Sequence, residues 1–507
     1  MLIIRDEKTA SGRVHAGSLR GVALHGILSE VLAEKETPNR FLYEINDFDP
    51  MDGLPTYLDE ATFKPHMGKP LYTIPSPDGI AKNYAEYFGE EFKEVINDLG
   101  FYPEFYRASE LYLSGKMNEV IRQALLKADT IRKIYKEVSG SERKEDWLPI
   151  SVICENCGKI SMTRVTSFDG EKVHYTCVKD AVLWGEGCGH EGVVSPFDGK
   201  AKLPWKVEWA AKFKVLGVNV EGAGKDHSTK GGAREVADRI SREVFEYEPP
   251  FDIPYEFFLV GGKKMSSSKG RGAAAREVAD LVPPEILRLA LIGKEPRQAT
   301  DFEPEGDTIP VLFDRYDTLA EKYFLNVEDD KTRMFYFLHL PKDGKRTIVR
   351  RFLPRFSQIA FIVQMPHLDL FHEVERLKGS PLTPEDRVET ELRARYSKKW
   401  LDEYAPEDFR FEIQKEIPEG AHQLSDKQKE ALGELLRYIV VTPKLDGQVL
   451  HTELHEIRKK IGIEPKDFFS AMYLSILGKP SGPKAGWFLS VLDRDFLLQR
   501  FKEVTER

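Results

Sequence analysis

No apolar run in this 507-residue chain approaches the about 18 consecutive apolar residues that a membrane-spanning helix needs. The opening stretch MLIIRDEKTA lacks the pattern of a secretory leader, so the expectation is a cytoplasmic protein with no membrane partner. Cysteine is scarce: four in all, gathered in one window, which excludes a chain-wide disulfide framework. A surplus of positive charge is also missing. With 74 Lys and Arg against 83 Asp and Glu the net charge is −9, which excludes a uniformly basic nucleic-acid coat but not a local basic groove. No internal repeat or low-complexity tract is present, so a solenoid is excluded too.

Against those absences stand two segments far apart in the chain. The first, TASGRVHAGSLRG at Thr9 to Gly21, lies between a short apolar strand, Leu2-Ile3-Ile4, and a helix whose expected buried positions are Leu24, Ile27, Leu28, Val31 and Leu32. A strand, a glycine-containing turn and a helix N-terminus make an anion site, because unpaired N–H groups and the helix dipole both favour negative charge. Gly12 and Gly17 carry no Cβ and let a nucleotide lie against the turn, and His15 adds a proton-bearing contact. The second segment is KMSSSKG. Lys263, Lys264 and Lys269 flank Ser266, Ser267 and Ser268 just after the apolar run Phe257 to Val260. A loop with cations and hydroxyls can close on a triphosphate and neutralise the charge of departing pyrophosphate. Each segment alone also reads as a solvated loop; together they point to ATP.

Cys154-Glu-Asn-Cys157-Gly forms a knuckle, and Cys177 and Cys188 complete a four-thiolate set, with His190 beside Cys188 as an alternative fourth ligand. A closed set of four leaves no open coordination position, so the expected zinc is structural.

Apolar runs at Leu2 to Ile4, Phe41 to Ile45, Phe105 to Tyr106, Val215 to Val220 and Phe257 to Val260 alternate with helical patterns such as Tyr84, Phe88, Phe92, Val95, Ile96 and Leu99, stopped by Gly100. Alternation of this kind predicts an α/β, Rossmann-type parallel sheet with ligands at the carboxyl ends of its strands. His15, Asp47, Gly224, His227 and the serine-rich loop all follow candidate strands. From Pro283 onward the pattern turns helical. Arg350, Arg351, Arg355, Arg393, Arg395, Lys398, Lys399, Trp400 and Tyr404 offer cations for phosphates and aromatics for unpaired bases, or else charged helix faces over buried rings.

The HAGS at His15 to Ser18, the GAGKDH at Gly222 to His227 and the KMSSSKG at Lys264 to Gly270 resemble the signatures of class I aminoacyl-tRNA synthetases. More narrowly, TASGRVHAGS, FLYEINDFDP at Phe41 to Pro50, LPWKVEWAAKF at Leu203 to Phe213, VEGAGKDHSTKGG at Val220 to Gly232 and SGPKAGWFLSVL at Ser481 to Leu492 are similar to class I lysyl-tRNA synthetases. The resemblance spans nearly the whole chain. It implies a Rossmann catalytic domain in two halves (1–112 and 205–282), a zinc-containing connective insertion (113–204), a stem-contact helical region (283–325) and an all-α anticodon-binding domain (326–507). It implies ATP with Mg2+, L-lysine and tRNA(Lys) as substrates and partners, and a lysyl-adenylate intermediate.

Carried over residue by residue, the resemblance gives His15, Ser18, Lys264 and Lys269 the catalytic roles on the phosphates. It gives Gly12, Gly17, Gly224, Asp226, His227, Met265, Ser266, Ser267 and Ser268 contacts to ATP, and Thr9, Trp209, His227 and Tyr255 contacts to the amino acid. Asp47 and Asp49 are candidate acceptors for the substrate ammonium, or turn acids before Pro50. Two departures stand out. Ser18 replaces the usual His or Asn of the first motif, and Glu7 stands where a glycine is common, placing a carboxylate that either favours a cationic substrate or faces solvent. The competing readings are a class I synthetase for arginine, glutamate or cysteine, and a non-catalytic RNA-binding protein on a synthetase scaffold.

Overall fold

The computed structural model describes residues 1–262, 273–341, 344–365 and 368–506. It divides into two compact units, one of Met1–Glu303 with Thr318–Ile348 and the other of Pro304–Asp317 with Val349–Arg507.

The first unit is built on a parallel sheet. Strands β1 (Leu2–Thr9), β2 (Asn39–Asn46) and β3 (Glu104–Arg107) pair in that order. On the other side of β1 the extended segment around Val220 bridges Ile4, and Val220 in turn bridges Phe251. β1 therefore has neighbours reached by crossovers of opposite sense, the arrangement that opens a crevice at the carboxyl end of a doubly wound sheet. Two expected strands shift. Val215 and Leu216 belong to the end of the helix Trp205–Leu216, and only the residues after its Gly217 cap run extended. Phe258–Val260 pairs with Thr300–Phe302 as a separate two-stranded sheet, while the segment ending at Tyr255 flanks Gly224.

Helix α1 (Leu19–Glu34) follows β1 through the motif turn. Its buried face is Val22, Ala23, His25 and Gly26, whereas Leu24, Ile27, Leu28, Val31 and Leu32 are only half-buried. The correction has a steric cause. A Cβ at Gly26 would lie 2.4 Å from the Phe101 ring, so the glycine edge sets the closest approach of the helix to its neighbours. The helix Tyr84–Asp98 follows its sequence pattern: Tyr84, Phe88, Phe92, Val95 and Ile96 are all buried, and Gly100 turns the chain at a φ of 73°.

Residues 113–204 contain the helices Asn118–Leu126 and Ala128–Ser139 and a three-stranded antiparallel sheet, Thr163–Phe168, Val173–Cys177 and Glu191–Val194. One apolar core runs from this segment into the helix Trp205–Leu216, linking Ile121, Val165 and Cys177 with Val207 and Phe213. The second unit is helical, with a core of Leu432, Leu435, Leu450, Leu454, Phe468, Phe488, Leu489 and Phe501. Among the described residues no helix is long and apolar enough to cross a membrane.

Candidate active site

At the carboxyl end of β1 the chain opens into a cavity of about 290 Å3. Its walls include His15, Gly17 and Ser18 from the motif turn, Trp209 from the helix Trp205–Leu216, Gly224, Asp226 and His227 from the following segment, and Tyr255. Eight of the sequence-selected residues thus meet in one place. A second cavity of about 600 Å3 shares Glu7, Lys8, Trp205 and His227 with the first and adds Thr9 and Asp49.

The glycines of the site are matched to close approaches. A Cβ at Gly17 would sit 3.0 Å from His15 Nδ1 and 3.1 Å from the Phe258 carbonyl oxygen, and one at Gly21 would lie 2.7 Å from both an Asp6 carboxylate oxygen and the Tyr255 hydroxyl. A Cβ at Gly222 would meet the Ile253 carbonyl at 2.4 Å, which explains why only glycine lets these extended segments touch. Gly12 adopts a φ of 154°, but it does not line either cavity. Ser18 occupies the N-cap position of α1 and its side chain makes no cap bond there; its N–H donates to the His15 carbonyl at 3.0 Å. The first turn of α1 carries no acidic side chain, which keeps that end favourable to an anion.

One wall is aromatic. The rings of Trp205 and Trp209 stack at 5.7 Å, and His227 meets both edge-on, at 5.3 and 6.2 Å. The Trp209 indole N–H donates to Glu221 Oε1 at 2.6 Å, which fixes the ring.

Beneath the cavities lies a network of buried charge, of which the sequence pointed only to Glu7 and Asp49. Arg5, fully buried, pairs with Glu7, with Glu44 at 2.7 Å and with Glu221 at 2.7 Å. Lys212 pairs with Glu44 at 2.5 Å and lies 3.4 Å from Glu208 and 3.7 Å from Glu7. Lys202 joins Asp49 at 2.9 Å and Glu208. The network therefore links three cations to five carboxylates, Glu7, Glu44, Asp49, Glu208 and Glu221. Burial opposes the ionised form of Glu44, yet Lys212 and Arg5 bring it down to about 2. Burial pushes the Asp6 carboxyl up to about 6, against the pull of His25. His25 accepts from the Gly222 N–H at Nε2, so its Nδ1 carries the proton and donates to the Gly21 carbonyl at 2.8 Å. The signal for this network was present in the sequence: four consecutive charged residues, Arg5 to Lys8, inside an otherwise apolar strand, and Glu208 and Lys212 one turn apart on an apolar helix.

Several expectations change. Asp47 lines neither cavity: its carboxylate accepts from the Ser109 N–H at 2.8 Å and the Ser109 hydroxyl at 2.6 Å, so it anchors the start of the helix Ala108–Leu113. Asp49 does line the larger cavity but is already bound by Thr9 Oγ1 at 2.7 Å and by Lys202; burial alone would raise it, and these partners hold it below the usual carboxylate range. Glu7 faces the cleft rather than open solvent, lining both cavities. In the second unit Arg393 is fully buried against Asp317 and Glu389, and Trp400 is buried with its indole N–H donating to the Pro304 carbonyl at 3.0 Å, so neither is a surface contact for RNA. Lys264, Met265, Ser266, Ser267, Ser268 and Lys269 lie outside the described residues.

The cysteines do converge. Ligand atoms of Cys154, Cys157, Cys177 and Cys188 all lie within 4.8 Å of one another, with Sγ–Sγ distances of 3.7 Å for Cys154–Cys188 and for Cys157–Cys177. A tetrahedral zinc with bonds of about 2.3 Å separates its sulfurs by about 3.8 Å, so the set fits that ion. His190 is not one of the four.

With this geometry in view, comparison with known proteins is specific. The family model described as tRNA synthetases class I (K) matches residues 2–342. A lysine--tRNA ligase of Methanosarcina barkeri is 35% identical, covering 98% of this chain and 93% of the relative. Lysine--tRNA ligase 1 of Methanosarcina acetivorans is 36% identical over 98% of this chain and 94% of its own, and the lysine--tRNA ligase of Archaeoglobus fulgidus is 34% identical over 97% and 94%.

Proposed function

The chain belongs to the tRNA synthetases class I (K), and from that premise we propose that it ligates L-lysine to tRNA(Lys) through a lysyl-adenylate formed in the cleft beyond β1. The observation that carries the reading is the meeting of His15, Gly17, Ser18, Trp209, Gly224, Asp226, His227 and Tyr255, from distant parts of the chain, in one cavity over an acidic floor.

The chemistry follows from the groups present. The lysine carboxylate attacks the α-phosphate in line, the bond to the β-phosphate oxygen breaks, and pyrophosphate leaves. The mixed anhydride then acylates a ribose hydroxyl of the terminal adenosine of the tRNA, releasing AMP. No protein nucleophile is needed; positioning and charge stabilisation suffice. His15, Ser18 and the N-terminus of α1 hold the phosphates, and the resemblance gives Lys264 and Lys269 the charge of departing pyrophosphate. Gly224 lies on the adenosine side of the cavity, and the Asp226 carboxylate suits ribose hydroxyls as an acceptor. Thr9, the Trp205–Trp209–His227 wall and Tyr255 enclose the amino acid. The formal excess of carboxylates over cations beneath the cleft favours a substrate that brings its own ammonium groups, and Glu7 is the member of that network open to both cavities. Mg2+ accompanies the nucleotide with few dedicated protein ligands. The four cysteines hold a structural zinc in the insertion 113–204. The region 283–325 contacts the tRNA stem, and 326–507 reads the anticodon.

The test is ATP–pyrophosphate exchange with lysine, arginine, glutamate and cysteine, each with and without tRNA(Lys). Lysine-dependent exchange lost in His15→Ala and Lys264→Ala is the expected result. Exchange with another amino acid, or none with lysine in the presence of tRNA, removes the reading. RNA binding without any exchange identifies a scaffold that has lost its chemistry.

A further inference from the structure

Lys8 stands apart from the other cations of the cleft. It follows Glu7 near the carboxyl end of β1 and lines both cavities, so it sits where the two join. The other Lys or Arg side chain lining either cavity among the described residues is Lys202, and it is bound by Asp49 and Glu208. The backbone of Lys8 pairs with β2, but its ammonium makes no hydrogen bond or ion pair among the described residues. Burial lowers its pKa despite the nearby charges of Asp6 and Glu7, so the site is one where holding an ammonium is costly. A cation kept half-buried without a partner, over a floor with surplus carboxylates, is accounted for by an anion that arrives with the ligand.

We propose that Lys8 is a catalytic residue that binds the amino-acid carboxylate as it meets the α-phosphate of ATP. This assignment rests on the synthetase reading above and deepens it. The two reacting anions repel each other and are repelled by the acidic floor. One ammonium shared by the carboxylate and a non-bridging oxygen of the α-phosphate offsets both repulsions and stays matched to the transition state, in which the oxygens around phosphorus carry the negative charge. Lys8 takes and gives no proton in this step; the carboxylate oxygen forms the bond to phosphorus and pyrophosphate carries away the electron pair. The neighbours divide the substrate by charge: Glu7 faces an ammonium and Lys8 the carboxylate.

The experiment compares the unaltered chain with Lys8→Met and Lys8→Arg in two assays. In lysine-dependent ATP–pyrophosphate exchange, Lys8→Met is expected to lower kcat by about 100- to 1000-fold, the usual effect of removing one donor to a developing anion, with Lys8→Arg recovering part of it. In calorimetric binding with a non-hydrolysable ATP analogue present, the unaltered chain prefers L-lysine over L-lysinol, which lacks the carboxylate; Lys8→Met loses that preference. A merely structural role would lower both affinities together and leave their ratio in place. Exchange by Lys8→Met within threefold of the unaltered chain, an unchanged lysine-to-lysinol ratio, or a lowered KM for lysine overturns the assignment, the last because it marks Lys8 as repelling the substrate ammonium. If Lys8→Met does not fold, Lys8→Gln, which also removes the charge, is measured in both assays and decides by the same criteria. Should the unaltered chain show no lysine-dependent exchange, the lysine reading falls and this assignment with it; should it exchange normally while Lys8→Met also does, only the assignment falls.

Discussion

Most of the cleft floor of the first unit and the core of the second are buried, yet they are made of opposite materials. Beneath the cleft Arg5, Lys212, Glu44 and Glu208 are buried side by side, each paired with opposite charge. The second unit is closed mainly by apolar side chains, such as Phe488 against Phe361, Phe411 and Tyr473, with a buried ionic cluster at Arg393 and a pair at Asp386 and Lys378. Apolar burial stabilises without needing partners, whereas each buried charge loses hydration and depends on correct placement of the next. A fold that only had to be stable would gain little from the first arrangement. The difference teaches that the charges near β1 lie where two cavities open, whereas the second core is closed on itself by apolar packing.

Two matched substitutions test that contrast most strongly. Phe488→Ala is expected to destabilise by about 3–5 kcal/mol, through lost burial and a cavity, while the KM for lysine stays the same. Lys212→Met is expected to destabilise by about 3–5 kcal/mol as well, because it leaves Glu44 with only Arg5 as a buried cation, but here the double substitution with Glu44→Gln recovers much of the loss. Urea midpoints measure both. Equal, non-recoverable losses in the two regions would break the comparison.

Opposite pH responses inside the cleft floor come next. Asp6 holds its proton to about pH 6 in the folded chain against an ordinary value of 3.8, so its contribution is fully present below about pH 4 and is lost, by roughly 3 kcal/mol, as the pH rises through 6. Glu44 is held at about 2 against 4.5, so its contribution is present above about pH 4.5 and is lost, by roughly 3 kcal/mol, as the pH falls toward 2. Asp6→Asn should therefore flatten the decline of the urea midpoint between pH 4 and 6 and leave the acid limb alone. A decline that persists in Asp6→Asn assigns that limb to another group.

The smallest effect belongs to the surface of the second unit. Arg355 pairs with Asp314 at 2.5 Å, but both side chains are well exposed, so Arg355→Ala should change stability by less than about 1 kcal/mol, and less still at high salt. A loss comparable to that of Lys212→Met would erase the distinction between buried and exposed charge.

Local patterns were readable where one stretch of chain decides the outcome. The helix Tyr84–Asp98 with its Gly100 stop, the turn from β1 into α1, and the cysteine knuckle all depend on neighbours within a few residues. Asp47 was misleading because its partner, Ser109, lies on a helix after β3 that adjacency could not bring to it. Trp400 and Arg393 look like an RNA-binding surface in one dimension and are core in three, since Pro304 and Asp317, from an earlier part of the chain, cover them.

Residue order alone determined the turn from β1 into α1, the Cys154–Cys157 knuckle and the alternation of strand and helix, because each is written in short-range spacing and periodicity; the choice of Cys188 over His190 came from the structure. Tertiary structure alone decided which carboxylates are already paired, that Glu7 and Lys8 face the cleft, and that eight scattered residues share one cavity. The physical reason is that desolvation and charge pairing are sums over everything within a few ångströms, and those neighbours come from segments the sequence keeps far apart.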